Sequence, residues 1–267
     1  HDAGRMGWDP SSSRLYWSEG STDERWNLQT KSKIRYIEYG SGRKHTLKNS
    51  GLLYNPAPSR SQIAVIRYAQ NGKSFLDIIG SNTGSTIRSF EAPDSLQLLE
   101  PVWIGDDIYA TAISDNGYGI YRIRLDDSIG AASGWETILA PQPVKIKDFN
   151  TRDGELLFTC DRTGVNELYH LDPAEGKLIQ KTSTRYGAED FQYSGNWLYY
   201  SSQTLDGKKI YRTPVDSLMD KAVDFSDLHR YHIAEAVTAQ EKAIALEKEA
   251  STNKEVAISD PVRYRKL

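Results

Sequence analysis

Five runs of β-branched, aromatic and aliphatic residues punctuate the chain: RLYWS from Arg14, QIAVIRY from Gln62, IYATAIS from Ile108, ELLFTC from Glu155 and NWLYYSS from Asn196. Some alternate apolar with polar and others are continuously apolar, the two patterns of strands covered on one face or on both. A segment rich in turn formers precedes each run: WDPSSS at Trp8, NPAPSRS at Asn55, PVWIGDD at Pro101, DFNTRDG at Asp148 and DFQYSGN at Asp190. After each run and a polar loop comes a further strand with apolar residues at alternate positions, read as KIRYIEY, SFLDIIG, GIYRIRL, NELYHLD and KKIYRTPV. Four copies add another strand, RKHTLK, TIRSFEA, WETILAP and KLIQKT, reached through turns such as GSG, NTG and DPAEG.

The unit recurs at a spacing of roughly 42 to 47 residues, the range of propeller blades. Four short strands per unit, with almost no helical periodicity before residue 220, predict an all-β fold. The expected architecture is a β-propeller of four-stranded antiparallel blades, since a sandwich has no need of so even a spacing. Blades are expected at about 6–50, 51–96, 97–143, 144–185 and 186–220, leaving 221–267 for a C-terminal helix and an extended tail. In the fifth copy no fourth strand is evident after YRTPV. The predicted helix runs from about Ser226 to Ala250, with Ser226 or Asp227 as N-cap and a narrow apolar stripe of Ile233, Val237 and Ile244.

Charge narrows the partners. The 33 basic and 36 acidic residues give a formal net charge of -3, so there is no global electrostatic case for nucleic acid or an anionic membrane. Cys160, the single cysteine, cannot form an internal disulfide and sits in an apolar run as a small hydrophobe. No run approaches the roughly 18 to 20 apolar residues of a membrane span, and HDAGRMGWDP does not read as a signal peptide. The chain reads as a piece of a longer polypeptide.

The unit TRDGELLFTCDRTGVNELYHLDPAEGKLIQKT, and less completely PSSSRLYWS, resembles the propeller repeats of TolB-like proteins: a Pro-Asp-Gly turn, an apolar strand, Ser-x-Arg-x-Gly, then a strand ending in Asp and a Thr-Gly turn. The likeness covers about residues 6 to 218 and departs from the repeat where Pro-Asp-Gly becomes PSSS, PSRS or SGN. It implies a six-bladed parent, of which five blades are visible here, in a periplasmic or cell-surface bacterial protein that serves in binding. The implied partner is a protein or an envelope component, and no cofactor is expected.

Propellers place function on loops and in the central channel, because packing consumes the strands. The loops between the second and third strands share a face with the connections between blades. The first of them, Glu19 to Ser32, is longest and carries Asp23, Glu24, Arg25 and Trp26, a charged stretch with an aromatic suited to a binding surface. The alternative is that Trp26 folds onto its own blade. Asp115 and Asn116, Asp161 and Arg162, and Asp206 occupy the equivalent shorter loops, where turn chemistry would also place such residues. His229 and His232 with Glu235 share a helix face but fall short of a metal ligand set, and no HExxH is present. GxSxG, GxxxxGK and a strand-following Rossmann glycine pattern are absent from this sequence. The expectation is therefore a noncatalytic binding propeller; the alternative is the substrate-gating propeller of a larger prolyl oligopeptidase-like hydrolase.

Overall fold

The computed structural model describes residues 3–22, 30–48, 51–93, 95–125 and 134–252. Its strands form five antiparallel sheets arranged as propeller blades. Blade 1 is β1 (Ala3–Asp9), β2 (Arg14–Thr22), β3 (Thr30–Glu38) and β4 (Lys44–Thr46). Blade 2 is β5 (Leu52–Ser59), β6 (Gln62–Tyr68), β7 (Ser74–Gly80) and β8 (Thr86–Glu91). Blade 3 is β9 (Gln97–Ile104), β10 (Asp107–Ser114), β11 (Gly117–Ile123) and β12 (Glu136–Gln142). Blade 4 is β13 (Ile146–Arg152), β14 (Glu155–Cys160), β15 (Glu167–Leu171) and β16 (Leu178–Gln180). Blade 5 has β17 (Glu189–Ser194), β18 (Trp197–Thr204) and β19 (Gly207–Pro214).

After β19 the chain makes a short turn of 3₁₀ helix, and β20 (Lys221–Val223) pairs antiparallel with β16, at the outer edge of blade 4 rather than of blade 5. Met219 N–H reaches Lys181 C=O, and the Arg162 guanidinium donates to Asp224 C=O at 2.5 Å, so the return is held at both ends.

The apolar pattern of each central strand follows from its neighbours. In β6, Ile63 and Val65 pack with Tyr16, Ile34 and Leu53 between blades 1 and 2, while Ala64 and Ile66 pack with Leu76, Leu98, Ile108 and Ala110 between blades 2 and 3. Both faces of QIAVIRY are therefore covered, which is why it is continuously apolar. Leu157 and Leu168 meet Phe191 and Leu198 between blades 4 and 5. Each fully buried Leu or Ile contributes about 1.5–3 kcal/mol.

Polar clips fix one blade to the next. Ser32 Oγ accepts Leu53 N–H at 2.6 Å and donates to Leu53 C=O, and Ser74 Oγ does the same with Leu98 N–H and Leu96 C=O. In blade 4 a buried carboxylate takes that place: Glu167 accepts the backbone N–H and hydroxyl of Thr184 and the hydroxyl of Thr182. Burial pushes its carboxyl up, against those hydrogen bonds.

One flank of blade 1 is not covered in this way. Tyr16 and Ile34 face blade 2, so by strand alternation Leu15 and Ile37 face the other way. With Trp8 and Tyr39 they line an apolar groove of about 370 Å³.

Residues 228–267 form a second unit. Its helix, α1 (His232–Thr252), begins later than the capping pattern predicts. The Asp224 carboxylate accepts the N–H and hydroxyl of Ser226, an Asx turn that uses Ser226 before it can cap, and the first helical bond runs from Glu235 N–H to Tyr231 C=O.

Candidate functional site

The five innermost strands share one irregularity. Pairing slips by one residue between Ala3 and Met6, Tyr54 and Ala57, Leu98 and Pro101, Lys147 and Asn150, and Glu189 and Gln192. These are β-bulges at equivalent positions, and the first bulged residue is left-handed at Asn55 (φ 51°), Asp148 (φ 55°) and Asp190 (φ 51°). Asn and Asp are the non-glycine residues that tolerate this conformation best.

The bulges bring distant blades together. Arg5 in β1 donates to Glu100 Oε2 in β9 at 3.1 Å and to the Phe149 carbonyl in β13, and Phe149 N–H donates to the same Glu100 oxygen at 2.7 Å. Blade 1 is not adjacent to blades 3 and 4 in the ring order, so these contacts are possible only near the axis, where the inner strands converge. Burial pulls the Arg5 guanidinium down, while Glu100 and Asp148 oppose that shift. Asn55 Nδ2 donates to Leu99 C=O at 2.8 Å, and Asp148 accepts the Thr159 hydroxyl and, at 3.2 Å, Asp190 N–H. Bulge is tied to bulge from blade 2 to 3 and from 4 to 5.

Beside Asp190 lies a tighter charge cluster. Glu189 meets Lys147 at 2.7 Å and Lys208 at 2.5 Å and accepts Asn166 Nδ2, while Asp190 accepts the Ser201 hydroxyl at 2.6 Å. Burial works against the Glu189 carboxylate, but the bonds from Lys147, Lys208 and Asn166 outweigh it and hold its pKa at about 2. The folded value lies below the unfolded one, so the stabilisation is complete above about pH 4.5 and is lost as pH falls toward 2. Between pH 5 and 2.5 the protein should lose about 2 kcal/mol more than Glu189→Gln in urea titrations, a figure discounted for the exposure of Lys208. Equal losses in the two proteins would assign the acid sensitivity elsewhere.

The residues singled out in the loops fall in different settings. Asp23, Glu24, Arg25 and Trp26 lie outside the described residues. Their loop is shorter than the sequence pattern suggests, because Glu19 to Thr22 pair with Thr30 to Lys33 and Glu19 ion-pairs with Arg35 and Lys44 across the sheet. Asp115 and Asn116 form the two-residue turn of β10 and β11, and Asp115 lines a cleft of about 420 Å³ between blades 2 and 3 with Lys73, Ser74, Glu91, Leu96 and Gln97. Asp161 accepts Lys145 N–H at 2.8 Å, Arg162 is buried against Asp224 C=O, and Asp206 is exposed beside Lys209. Asp115 and Asn116 thus lie on blade 3, Asp161 and Arg162 on blade 4 and Asp206 on blade 5, each in its own local contacts. The axial residues escaped the loop-based reading, although Asn55, Asp148 and Asp190 open three of the repeated segments.

Two groups with chemical potential are held in packing roles. His170 is buried with Nδ1 2.7 Å from Glu155 Oε2 and Nε2 3.0 Å from the Tyr193 hydroxyl, so the neutral ring donates to Glu155 and accepts from blade 5. Burial pulls its pKa down, against the Glu155 carboxylate, and burial pushes the Tyr193 phenol up to about 12. Burial likewise pushes the Cys160 thiol up to about 12, which keeps it protonated at neutral pH. Among the described residues no cluster of three or more His, Cys, Asp or Glu side chains could hold a metal ion, and no helix is long and apolar enough to cross a membrane.

No protein-family model matches the chain, and no curated protein matches it. Among solved structures it is similar to a TolB from Agrobacterium tumefaciens, at 13% identity and a TM-score of 0.62 over 82% of this chain and 79% of that one. It is similar to TolB from Acinetobacter baumannii at 16% identity and a TM-score of 0.56, covering 72% of this chain but only 48% of the other. The β-propeller domain of the trilobed protease from Pyrococcus furiosus, described as having an open velcro topology, gives 12% identity and a TM-score of 0.52 over 84% and 85% of the two chains. Identities this low carry the fold and leave function to the site. The chain is a TolB-like β-propeller in fold, an architecture it has in common with the propeller domain of a protease.

Proposed function

We propose that this chain is a noncatalytic binding module of the bacterial envelope, holding a protein or envelope component on the face that carries the turns between second and third strands. The likeness of its fold to TolB supports the setting, periplasmic or at the cell surface. The observation that carries the reading is the cleft between blades 2 and 3, which opens beside that face and is lined by the Lys73–Glu91 ion pair and Asp115. The Arg5–Glu100 pair joins the inner strands of blades 1 and 3, which favours the loop face over a through-channel as the place of contact. The uncovered apolar flank of blade 1 supports a sixth blade beside it in the intact protein.

The test is a charge swap. The full chain, cross-linked in a periplasmic and outer-membrane extract, should capture a discrete component, and the double variant Lys73→Glu, Asp115→Lys should retain less than a tenth of it. Equal capture by the folded variant would remove the cleft from the reading.

A second reading makes the chain the substrate-gating propeller of a larger hydrolase, and the likeness to the Pyrococcus furiosus protease domain favours it. A GxSxG motif with a downstream histidine, encoded in the same gene beyond Leu267, would decide for it.

A further inference from the structure

The fifth blade stops at its third strand. β4, β8, β12 and β16 each cover the outer edge of the strand before them, and β20 covers β16, but among the described residues no strand lies along β19. The β18–β19 hairpin turns through Leu205 and Asp206, with Thr204 opposite Gly207. A two-residue hairpin closes on a hydrogen-bonded pair, and such pairs alternate along an antiparallel ladder. Gly207, Lys209, Tyr211 and Thr213 therefore turn their backbone groups to β18, whereas Lys208, Ile210 and Arg212 turn theirs outward. Pro214, with no N–H to offer, takes the next outward position, where a strand tolerates it.

The edge is apolar and basic. Ile210 is 81% exposed and Leu205 is fully exposed at the hairpin tip. GKKIYRTP holds Lys208, Lys209 and Arg212 and no acidic residue. Lys208 is held by Glu189 and Asp190 and Lys209 by Asp206, while Arg212 stacks on Trp197 with its guanidinium carbon 4.4 Å from the ring centroid and makes no ion pair among the described residues.

We infer that the outer edge of β19 takes up an extended strand from a protein partner, with acidic and apolar residues at alternate positions, by β-augmentation. The outward N–H and C=O groups of Lys208, Ile210 and Arg212 supply the ladder, and the alternate side chains supply selectivity. Charge selects the occupant. A second copy of β19 would set Lys and Arg against Lys and Arg across the pair, which like charges disfavour, whereas Glu or Asp opposite Arg212 is complementary. Lysines on an edge discourage self-pairing for the same reason. The molecule accepts such an addition one blade away, where Lys221–Val223 lies on β16. This surface is on the outer rim and does not depend on the loop-face reading.

The experiment is hydrogen exchange on the full chain with a synthetic peptide of alternating glutamate and valine, about eight residues long to match β19. Saturating peptide should slow the amides of Lys208, Ile210 and Arg212 at least tenfold. Arg212→Glu should weaken binding at least tenfold, Ile210→Pro should abolish it while sparing the ladder to β18, and a peptide N-methylated at alternate residues should not bind. If Ile210→Pro does not fold, Arg212→Glu and the methylated peptide still decide. Unchanged exchange with peptide present, amides already protected in the free protein, or equal binding of the methylated peptide would each overturn the proposal, and none would touch the loop-face cleft.

Discussion

Gly117→Ala should destabilise the protein by about 3–5 kcal/mol, whereas Gly207→Ala, at the equivalent position of another blade, should cost only about 1–2 kcal/mol. Both glycines start the third strand directly after a two-residue turn, and both adopt a left-handed backbone, with φ of 108° at Gly117 and 102° at Gly207. Backbone strain is thus common to the two. Their surroundings differ: a Cβ at Gly117 would sit 1.9 Å from the Gln142 carbonyl oxygen and 2.6 Å from its carbon, while nothing lies within 4 Å at Gly207. The clashing atoms are backbone of β12, the fourth strand of blade 3, and cannot turn aside as a side chain would. Among the described residues blade 5 has no fourth strand at that place, so the same substitution meets open space. Urea titration of the two variants measures the difference directly. Equal losses would mean that β12 yields at little cost, and the tight fit assigned to blade 3 would have to be given up.

The blade repeat was legible because strand period and blade period are both written in local sequence. Runs such as QIAVIRY and ELLFTC lie between two covered faces, and their buried middles are apolar but for Thr159, whose hydroxyl is taken up by Asp148. The inner strands were harder to see. NPAPSRS, DFNTRDG and DFQYSGN contain turn formers, and composition reads them as turns, yet their opening Asn55, Asp148 and Asp190 sit in bulges inside β5, β13 and β17. Asn and Asp signal a left-handed residue in either setting, and only pairing to the next strand tells a bulge from a turn. The return of Lys221–Val223 to blade 4 has no local signature, since a three-residue strand is defined by its partner. Turn chemistry alone places Asp115 in its turn, but the cleft beside it needs Glu91 at the end of β8 and Gln97 at the start of β9, a proximity that spacing does not encode.

Arg5→Ala is expected to cost about 2–3 kcal/mol, several times the cost of Arg60→Ala, although both remove an arginine from an ion pair. Arg60 meets Asp106 with both side chains at least 80% exposed, where water solvates either charge once the other is gone. Arg5 and Glu100 are 26% and 21% exposed, so removing Arg5 strands a carboxylate in a poorly solvated place and leaves the Phe149 carbonyl without that donor. Glu100→Gln should be milder, because an amide oxygen can still accept Phe149 N–H. The double variant should recover part of the loss, with a coupling of about 1 kcal/mol or more in a double-mutant cycle. Arg5 also joins blade 1 to blades 3 and 4, contacts that side-by-side packing of neighbours does not supply. Native-state hydrogen exchange in Arg5→Ala should therefore show β1 and β2 opening at lower free energy than β10 and β14, where the unsubstituted protein opens them more nearly together. If Arg5→Ala cost no more than Arg60→Ala, the axial network would be a surface feature, and the blades would hold their ring by neighbour packing and the serine clips.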